Sequence, residues 1–398
     1  MRRVSSAELR AFLLDRLGLR GGFWAPDAAA ERAPDLGMIQ IDSIRVSGLR
    51  NQELAWAARA EGPPAAFYDQ LYERGAFRET HYPLFAVRRD WLPLLVTAFA
   101  DRSERRKAAR DALRPVMDRV LAAVRANGPV TAAQFTAARV PGGFSTIKET
   151  TKALEYLFED IALQIAGRTP HFHRCFDLTE RAAPELVGWA PPPAAVYERF
   201  LVSSALAVLK AGTAEQIARR ARLHYGQWRG TPIGHWRARV EALLPDGLAR
   251  PVVVTDLPDA PVYWYRPEDE EGWDRAARAA GPTVRLGPPL DNLLFSRARL
   301  GALFGLDYKF EAYTPAAQRR FYFALPVLYE DAVAGLIDAR LADGVWQIRG
   351  IELRRPVPSE ALRAGVYRVA RLAGAEKVAV TTRTTREIRR ALVGRCDG

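Results

Sequence analysis

Thr146-Ile147-Lys148-Glu149-Thr150-Thr151-Lys152-Ala153-Leu154-Glu155-Tyr156-Leu157-Phe158-Glu159-Asp160-Ile161 is the stretch on which the fold reading turns. Thr146 and Glu149 have the spacing of a capping box, and Ile147, Leu154, Leu157, Phe158 and Ile161 recur at helical intervals. The segment therefore predicts an amphipathic helix, with Lys148 and Lys152 four apart on its outer face. A hairpin pattern follows: Leu163 to Ala166, a turn at Gly167-Arg168, then Phe172 to Leu178 returning. Upstream, Thr131 and Gln134 form another capping box, ahead of a Gly-rich turn at Val140 to Phe144. Helix, turn, helix and two-stranded wing is the winged-helix order, in which the second helix usually enters a major groove.

The theme recurs on both sides. Ser5 and Glu8 box the start of a helix whose stripe is Leu9, Phe12, Leu13 and Leu17, ended by Gly18. A basic helical pattern runs from about Arg102 to Val124. Pro191-Pro192-Pro193 reads as a stiff linker. Beyond it, Thr213 and Gln216 box a helix from Ile217 to Leu223, and Thr231-Pro232 starts another that carries Trp236, Val240 and Leu243. Val252 to Val254 and Tyr263 to Tyr265 would be its wing. From about Pro288 the texture is β, with short alternating runs at 308–313, 321–329, 333–341 and 345–353, the pattern of a small barrel or curled sheet. A helix at 359–373, a strand at 378–380 and a helix at 386–392 finish the chain. The expectation is an α+β protein. Three tandem winged-helix modules would occupy residues 1–125, 126–190 and 194–284, followed by a small C-terminal β-barrel-like domain at 285–398.

Composition narrows the class. At 398 residues the length predicts two to four domains, and 48% hydrophobic with 26% charged residues excludes a disordered chain. No run of about 18 apolar residues is present, so no membrane span is expected. Cys175 and Cys396 cannot build a disulfide framework, which points to a reducing cytoplasm. The net charge of +12 comes almost wholly from arginine and favours a polyanionic partner, although a GC-rich coding genome gives the same bias. His171, His173 and Cys175 alternate on one strand face, but no second pair of ligands accompanies them. A wing strand facing solvent or DNA is the better reading, with no metal and no cofactor. Nucleophile elbow, phosphate loop and zinc-protease helix are all missing from the sequence.

Leu36-Gly37-Met38-Ile39-Gln40-Ile41-Asp42-Ser43-Ile44 places an amide and a carboxylate two apart in an apolar run. In extended backbone the period of two puts Gln40 and Asp42 on one side, with Ile39 and Ile41 buried opposite. Such a pair suits a site where positive charge develops and a water is held. An Asp that caps the turn at Ser43-Ile44 beside an exposed Gln is the plainer alternative, and for the spacing alone it is the favoured one.

The winged-helix-like units, the terminal barrel and this segment together resemble the AlkZ/YcaQ-like winged-helix DNA glycosylases. The likeness extends over "LGMIQIDSI" (36–44), "HYPLFAVRRDW" (81–91), "RCFDLTER" (174–181) and some fifty residues from Leu290. With Gln40 and Asp42 the chain resembles the Gln-x-Asp branch, which implies removal of N7-alkylguanine and unhooking of interstrand crosslinks. The resemblance implies a monofunctional enzyme with Gln40 and Asp42 catalytic, since no lysine lies near the segment to form a Schiff base. It also implies DNA contacts from Arg45, Arg50, His81, Lys148, Lys152, Arg319 and Arg320. The expected partner is double-stranded DNA with alkylated or crosslinked bases, met by a monomer in the cytoplasm at the nucleoid. The competing class is a non-enzymatic winged-helix DNA-binding protein, either a regulator or a lesion binder, because winged helices are more often regulators than enzymes.

Overall fold

Ser5 opens the first helix, Ser6–Arg16, by the reciprocal bonds its spacing predicts. Its Oγ accepts the Glu8 N–H at 3.2 Å while its own N–H donates to the Glu8 carboxylate at 2.7 Å. Leu9, Phe12, Leu13 and Leu17 are fully buried, and Gly18 ends the helix at a φ of 67°. The computed structural model describes residues 1–80, 84–98, 106–141, 146–225 and 233–396. Its mixed α+β chain forms two compact units, one from Met1–Phe67, Val202–Arg220 and Pro232–Gly398, the other from Tyr68–Leu201 and Ala221–Thr231.

The first unit holds two sheets. In one, Arg250–Val254 and Val262–Tyr265 pair antiparallel, as a wing would. They are the inner strands, however, because Arg2–Val4 adds parallel to Arg250–Val254 and Ala211–Gly212 closes the other edge. The Thr213 box is made, with Thr213 and Gln216 exchanging bonds of 3.2 and 3.3 Å at the start of Ala214–Tyr225. The start expected at Thr231-Pro232 lies outside the described residues.

The second sheet is a curled half-barrel. Its order is Arg285–Leu286, Ala324–Tyr329, Ala332–Ala342, Val345–Leu353, Lys377–Val380 and Gly394–Arg395. All neighbours are antiparallel except Val345–Leu353 with Lys377–Val380, where the helix Ser359–Leu372 makes the crossover that a parallel pair requires. Leu362, Val366 and Ala370 of that helix pack with Phe323, Ile337, Trp346 and Ile348 as the core. Residues 308–313, expected as a strand, are instead a loop. The Glu311 carboxylate accepts the N–H groups of Arg320 and Phe321 at 2.7 and 3.2 Å, and Asp338 accepts those of Tyr322 and Phe323 at 3.1 and 3.2 Å. With these amides held by carboxylates, pairing begins only at Ala324.

In the second unit Arg114–Asn127, Glu149–Glu159 and the hairpin Leu163–Arg168/Arg174–Leu178 share a core of Val116, Val120, Val124, Leu154, Leu157, Phe158, Ile165 and Phe176. Two expectations are corrected here. The box at Thr131 closes a single 3-10 turn, Ala132–Gln134, because Phe135 is extended and leads into the strand Arg139–Pro141. Thr146–Lys148 pairs with that strand, as β-branched Thr146 and Ile147 favour, so the helix begins at Glu149 rather than inside the expected cap. The basic helix upstream is divided, with Lys107–Ala112 ending before Pro115 enters the first turn of Arg114–Asn127. Buried Glu79 joins this unit's elements, accepting from the Tyr72 hydroxyl at 2.5 Å and from Arg168 Nε at 3.0 Å.

Lys210 is a fully buried cation of the first unit. It follows the helix Ala194–Leu209 at a φ of 64°, is 0% exposed, and donates its Nζ to the Asp35 carbonyl. Burial pushes its pKa down to about 7, against the opposing pull of Asp269. Between pH 7 and 10.5 the unfolded chain therefore binds the proton that the fold resists, so the Lys210 contribution to stability rises with pH. Urea denaturation across that window is expected to show the wild type gaining stability relative to Lys210→Met. A constant difference would mean that Lys210 keeps an ordinary pKa.

Candidate active site

The strand Met38–Gln40 is only three residues long, yet its alternation continues to Asp42. Ile39 and Ile41 are 5% and 2% exposed, and Gln40 and Asp42 are half-buried on the other side. Side-chain amides hold this backbone. Asn51 Nδ2 donates to the Gln40 carbonyl at 2.8 Å, and its Oδ1 accepts the Leu290 N–H at 2.9 Å. Gln52 Oε1 accepts the Asp42 N–H at 3.0 Å. Asn292 Nδ2 donates to the carbonyls of Leu36 and Met38 at 2.9 and 3.0 Å. Asn51 and Gln52 are fully buried at the start of the helix Asn51–Ala57, and Asn292 is 4% exposed.

The loop that presents Asn292 is fixed in turn. Asp291 caps it by accepting the Leu293 N–H at 2.9 Å and forms a buried ion pair with Arg59, also at 2.9 Å. Arg59 spends its other donors on the carbonyls of Leu17 and Ala55. A small cleft lies against the strand, lined among others by Gln40, Arg59 and Asn292.

Asp42 Oδ1 accepts the Ile44 N–H at 2.7 Å, so the plainer reading of Asp42 as a turn residue is present in the structure. The same bond fixes the carboxylate's direction. Beyond Ile44 the chain docks on the half-barrel: Leu341 N–H donates to the Val46 carbonyl at 2.9 Å and Trp346 Nε1 to that of Ser47 at 3.0 Å. Gly48 is required there, because its φ is 89° and an added Cβ would stand 2.7 Å from that of Ala373. Among the described residues no cation pairs with Asp42. Burial raises its pKa above the ordinary 3.8, outweighing the Ile44 and Ser43 N–H groups that stabilise the anion. The result is an oriented, partly desolvated carboxylate beside a half-buried amide, equipped to accept a proton and to face developing positive charge.

The expected DNA-contacting residues have distinct settings. Arg45 is exposed, with Nε on the Gly48 carbonyl at 2.8 Å, and Arg50 is paired with Glu53 at 3.1 Å. The Arg319 guanidinium lies over the Tyr322 ring at 4.7 Å, and Arg320 pairs with Glu352. In the other unit, Lys148 Nζ donates to the Phe135 carbonyl at 3.0 Å and Lys152 pairs with Glu155 at 2.8 Å. His81 lies outside the described residues. His171 and His173 stand 6.4 Å apart between ring centroids, and among the described residues no group of three or more His, Cys, Asp or Glu is placed to hold a metal ion.

Asn51, Gln52 and Asn292 escape the sequence reading. Their signal is faint: an Asn-Gln pair opening a helix buried on every side, and an Asp-Asn pair after Pro288-Pro289. A pair of substitutions separates their role from that of Asp42. At neutral pH an ionised group whose native pKa is raised costs stability, and Asn at position 42 still offers Oδ1 to Ile44. Asp42→Asn is therefore expected to melt at or above the wild-type temperature at pH 7. Asn51→Ala leaves a buried carbonyl and N–H unsatisfied and is expected to lose about 1–3 kcal/mol. A large loss of stability in Asp42→Asn would make its carboxylate a structural element.

Residues 33–375 match the family model described as DNA glycosylase AlkZ-like. Among solved structures, the Streptomyces sahachiroi DNA glycosylase AlkZ aligns with a TM-score of 0.61 over 96% of this chain and 99% of that one. Identity in that alignment is 14%, so what it shows is a shared fold across the whole length. The family match takes in the strand with Gln40 and Asp42, all three amides that hold it and the central strands of the half-barrel. This chain belongs to the AlkZ-like DNA glycosylase family.

Proposed function

We propose that the enzyme hydrolyses the N-glycosidic bond of cationic N7-alkylguanine in double-stranded DNA and leaves an abasic site. The observation that carries this reading is the Asp42 carboxylate, oriented by the Ile44 N–H, partly desolvated and paired with no cation among the described residues. Alkylation at N7 makes guanine a good leaving group. As the C1′–N9 bond breaks, its electron pair goes to the base and neutralises it. The carboxylate then faces the oxocarbenium-like sugar and takes a proton from the water that forms the new C1′–O bond. Gln40 both donates and accepts, which suits it to orient that water. A glutamine at position 42 would lack the basic carboxylate.

Adducts that join the two strands fall within the same proposal. Gln40 and Asp42 are half-buried rather than enclosed, which favours reaching a bulky lesion in place over swallowing it. Phosphate contacts are assigned to Arg45, Arg50, Lys148, Lys152, Arg319 and Arg320, giving binding that weakens with salt and ignores sequence, and His81 to packing against the lesion-bearing backbone. The helix–helix–hairpin order of 114–178 and the boxed helices at Ser5 and Thr213 support winged-helix modules as the scaffold. We assign action at the nucleoid on the ground of the net charge of +12, and action as a monomer because an odd number of modules gives no hint of a dimer.

A duplex with one N7-methylguanine, incubated with enzyme and then treated with alkali, tests the chemistry. The wild type is expected to give strand breaks, and Asp42→Asn to be slower by at least about 100-fold, the scale of a lost general base. Equal rates for the two would remove Asp42 from the mechanism. The raised Asp42 pKa sets a second expectation. As pH falls, kcat/KM should drop with a midpoint above 3.8, because the active form is the carboxylate. An acid limb at or below that value would contradict the desolvated site.

A further inference from the structure

The loop between Leu306 and Ala324 holds a large aromatic side chain out in solvent. Tyr313 is 82% exposed, the most exposed large aromatic among the described residues. It nevertheless belongs to an ordered row of rings. Its ring meets Phe310 edge to face at 6.1 Å, and Phe310 meets the fully buried Phe323 at 6.0 Å in the same manner. The loop is closed behind it by Glu311 on the N–H groups of Arg320 and Phe321. Phe310 and Tyr322 of this loop pack on the half-barrel core cluster, and so do Ile44 and Val46 of the segment after Asp42. Partial burial and the Asp42 charge both push the Tyr313 phenol up, so the two groups share one electrostatic neighbourhood.

We propose that Tyr313 is the stacking surface for the alkylated base whose glycosidic bond faces Asp42, and that it helps the enzyme prefer cationic over neutral purines. This deepens the reading of Asp42 given above and rests on it. A large ring held in place by Phe310 yet open to solvent loses little entropy when a base covers it. The face of a phenol ring is negative, so a purine cation gains more from it than a neutral purine does. The neighbouring carboxylate acts in the same direction. Arg319 stays over Tyr322 on the same loop, where it can meet a phosphate of the same strand.

Binding and cleavage are measured separately. For binding, the probe is a duplex carrying 2′-fluoro-N7-methylguanosine, whose electron-withdrawing fluorine resists glycosidic cleavage, compared with the undamaged duplex. Loss of stacking is expected to lower the lesion preference of Tyr313→Ala and Tyr313→Leu by about 10-fold, while Tyr313→Phe stays near the wild type. On cleavable N7-methylguanine duplex, the half-saturating enzyme concentration should rise by a similar factor in the Ala variant, with the saturated single-turnover rate little changed. Since Tyr313 is exposed, all three variants should melt with the wild type. An Ala variant with unchanged preference overturns the proposal, as does a Phe variant as weak as Ala, which would make the hydroxyl the active group. A wild type that neither prefers nor cleaves the lesion overturns instead the substrate reading on which the proposal rests.

Discussion

Three side-chain amides hold the segment that presents Gln40 and Asp42. Between Leu36 and Asp42 the backbone carries three carbonyls and one N–H bonded to Asn51, Gln52 and Asn292 rather than left to solvent. A three-residue strand has little cooperative stability of its own, and a buried polar group left unbonded costs about 1–3 kcal/mol. The amides therefore fix the strand's rotation about its axis, and with it the direction in which Gln40 and Asp42 project. The Asp291–Arg59 pair fixes one amide donor, and the wholly buried helix Asn51–Ala57 fixes the other two. Every step back from Asp42 leads to another satisfied buried polar group.

The electrostatics follow from that arrangement. A strand held by neutral amides needs no cation close to its carboxylate, and Asp42 has none among the described residues. Buried charges of the first unit are matched with one another, as in the Arg59–Asp291 pair behind the strand and the Arg16–Asp269–Arg266 cluster beside Lys210. Had a guanidinium held the strand instead, it would have stabilised the carboxylate and weakened it as a base. Structure held by amides leaves the charge of Asp42 available for substrate.

Much of this was legible in the sequence, for definite reasons. The period of two through Ile39, Gln40, Ile41 and Asp42 reports which side chains are buried, and burial is what the strand supplies. The helix Ser359–Leu372 and the strand Val345–Leu353 were legible because their apolar patterns serve one core. Tyr308 to Tyr313 has the same alternation and is a loop, because alternation says nothing about which groups a backbone pairs with. Nearby, Glu311 and Asp338 take the N–H groups of Arg320 to Phe323, so the strand expected from Phe321 starts only at Ala324. The capping box at Thr131 is real but local, and the strand Arg139–Pro141 that shortens its helix is set by pairing with Thr146–Lys148. Arg2–Val4 escaped notice because its partner lies some 250 positions away in the chain. The role of Asn51 depends in the same way on Leu290.

The first unit is built from three separate stretches of chain, and the second is complete within a shorter span. During synthesis the ribosome releases the core of the second unit, residues 92 to 186, long before Arg250–Val254 exists to receive Arg2–Val4. Non-local pairings of this kind form slowly, after their loop-closure cost has been met. A nascent chain that has passed Gln40 and Asp42 soon has Asn51 and Gln52, but it lacks the bonds to Leu36, Met38 and Val46 until Asn292 and the half-barrel emerge. The strand Met38–Gln40 is among the earliest parts translated, and two of the features that hold its surroundings, Asn292 and the half-barrel, are among the last. The full set of bonds around Gln40 and Asp42 thus exists only once the last third of the chain has been made.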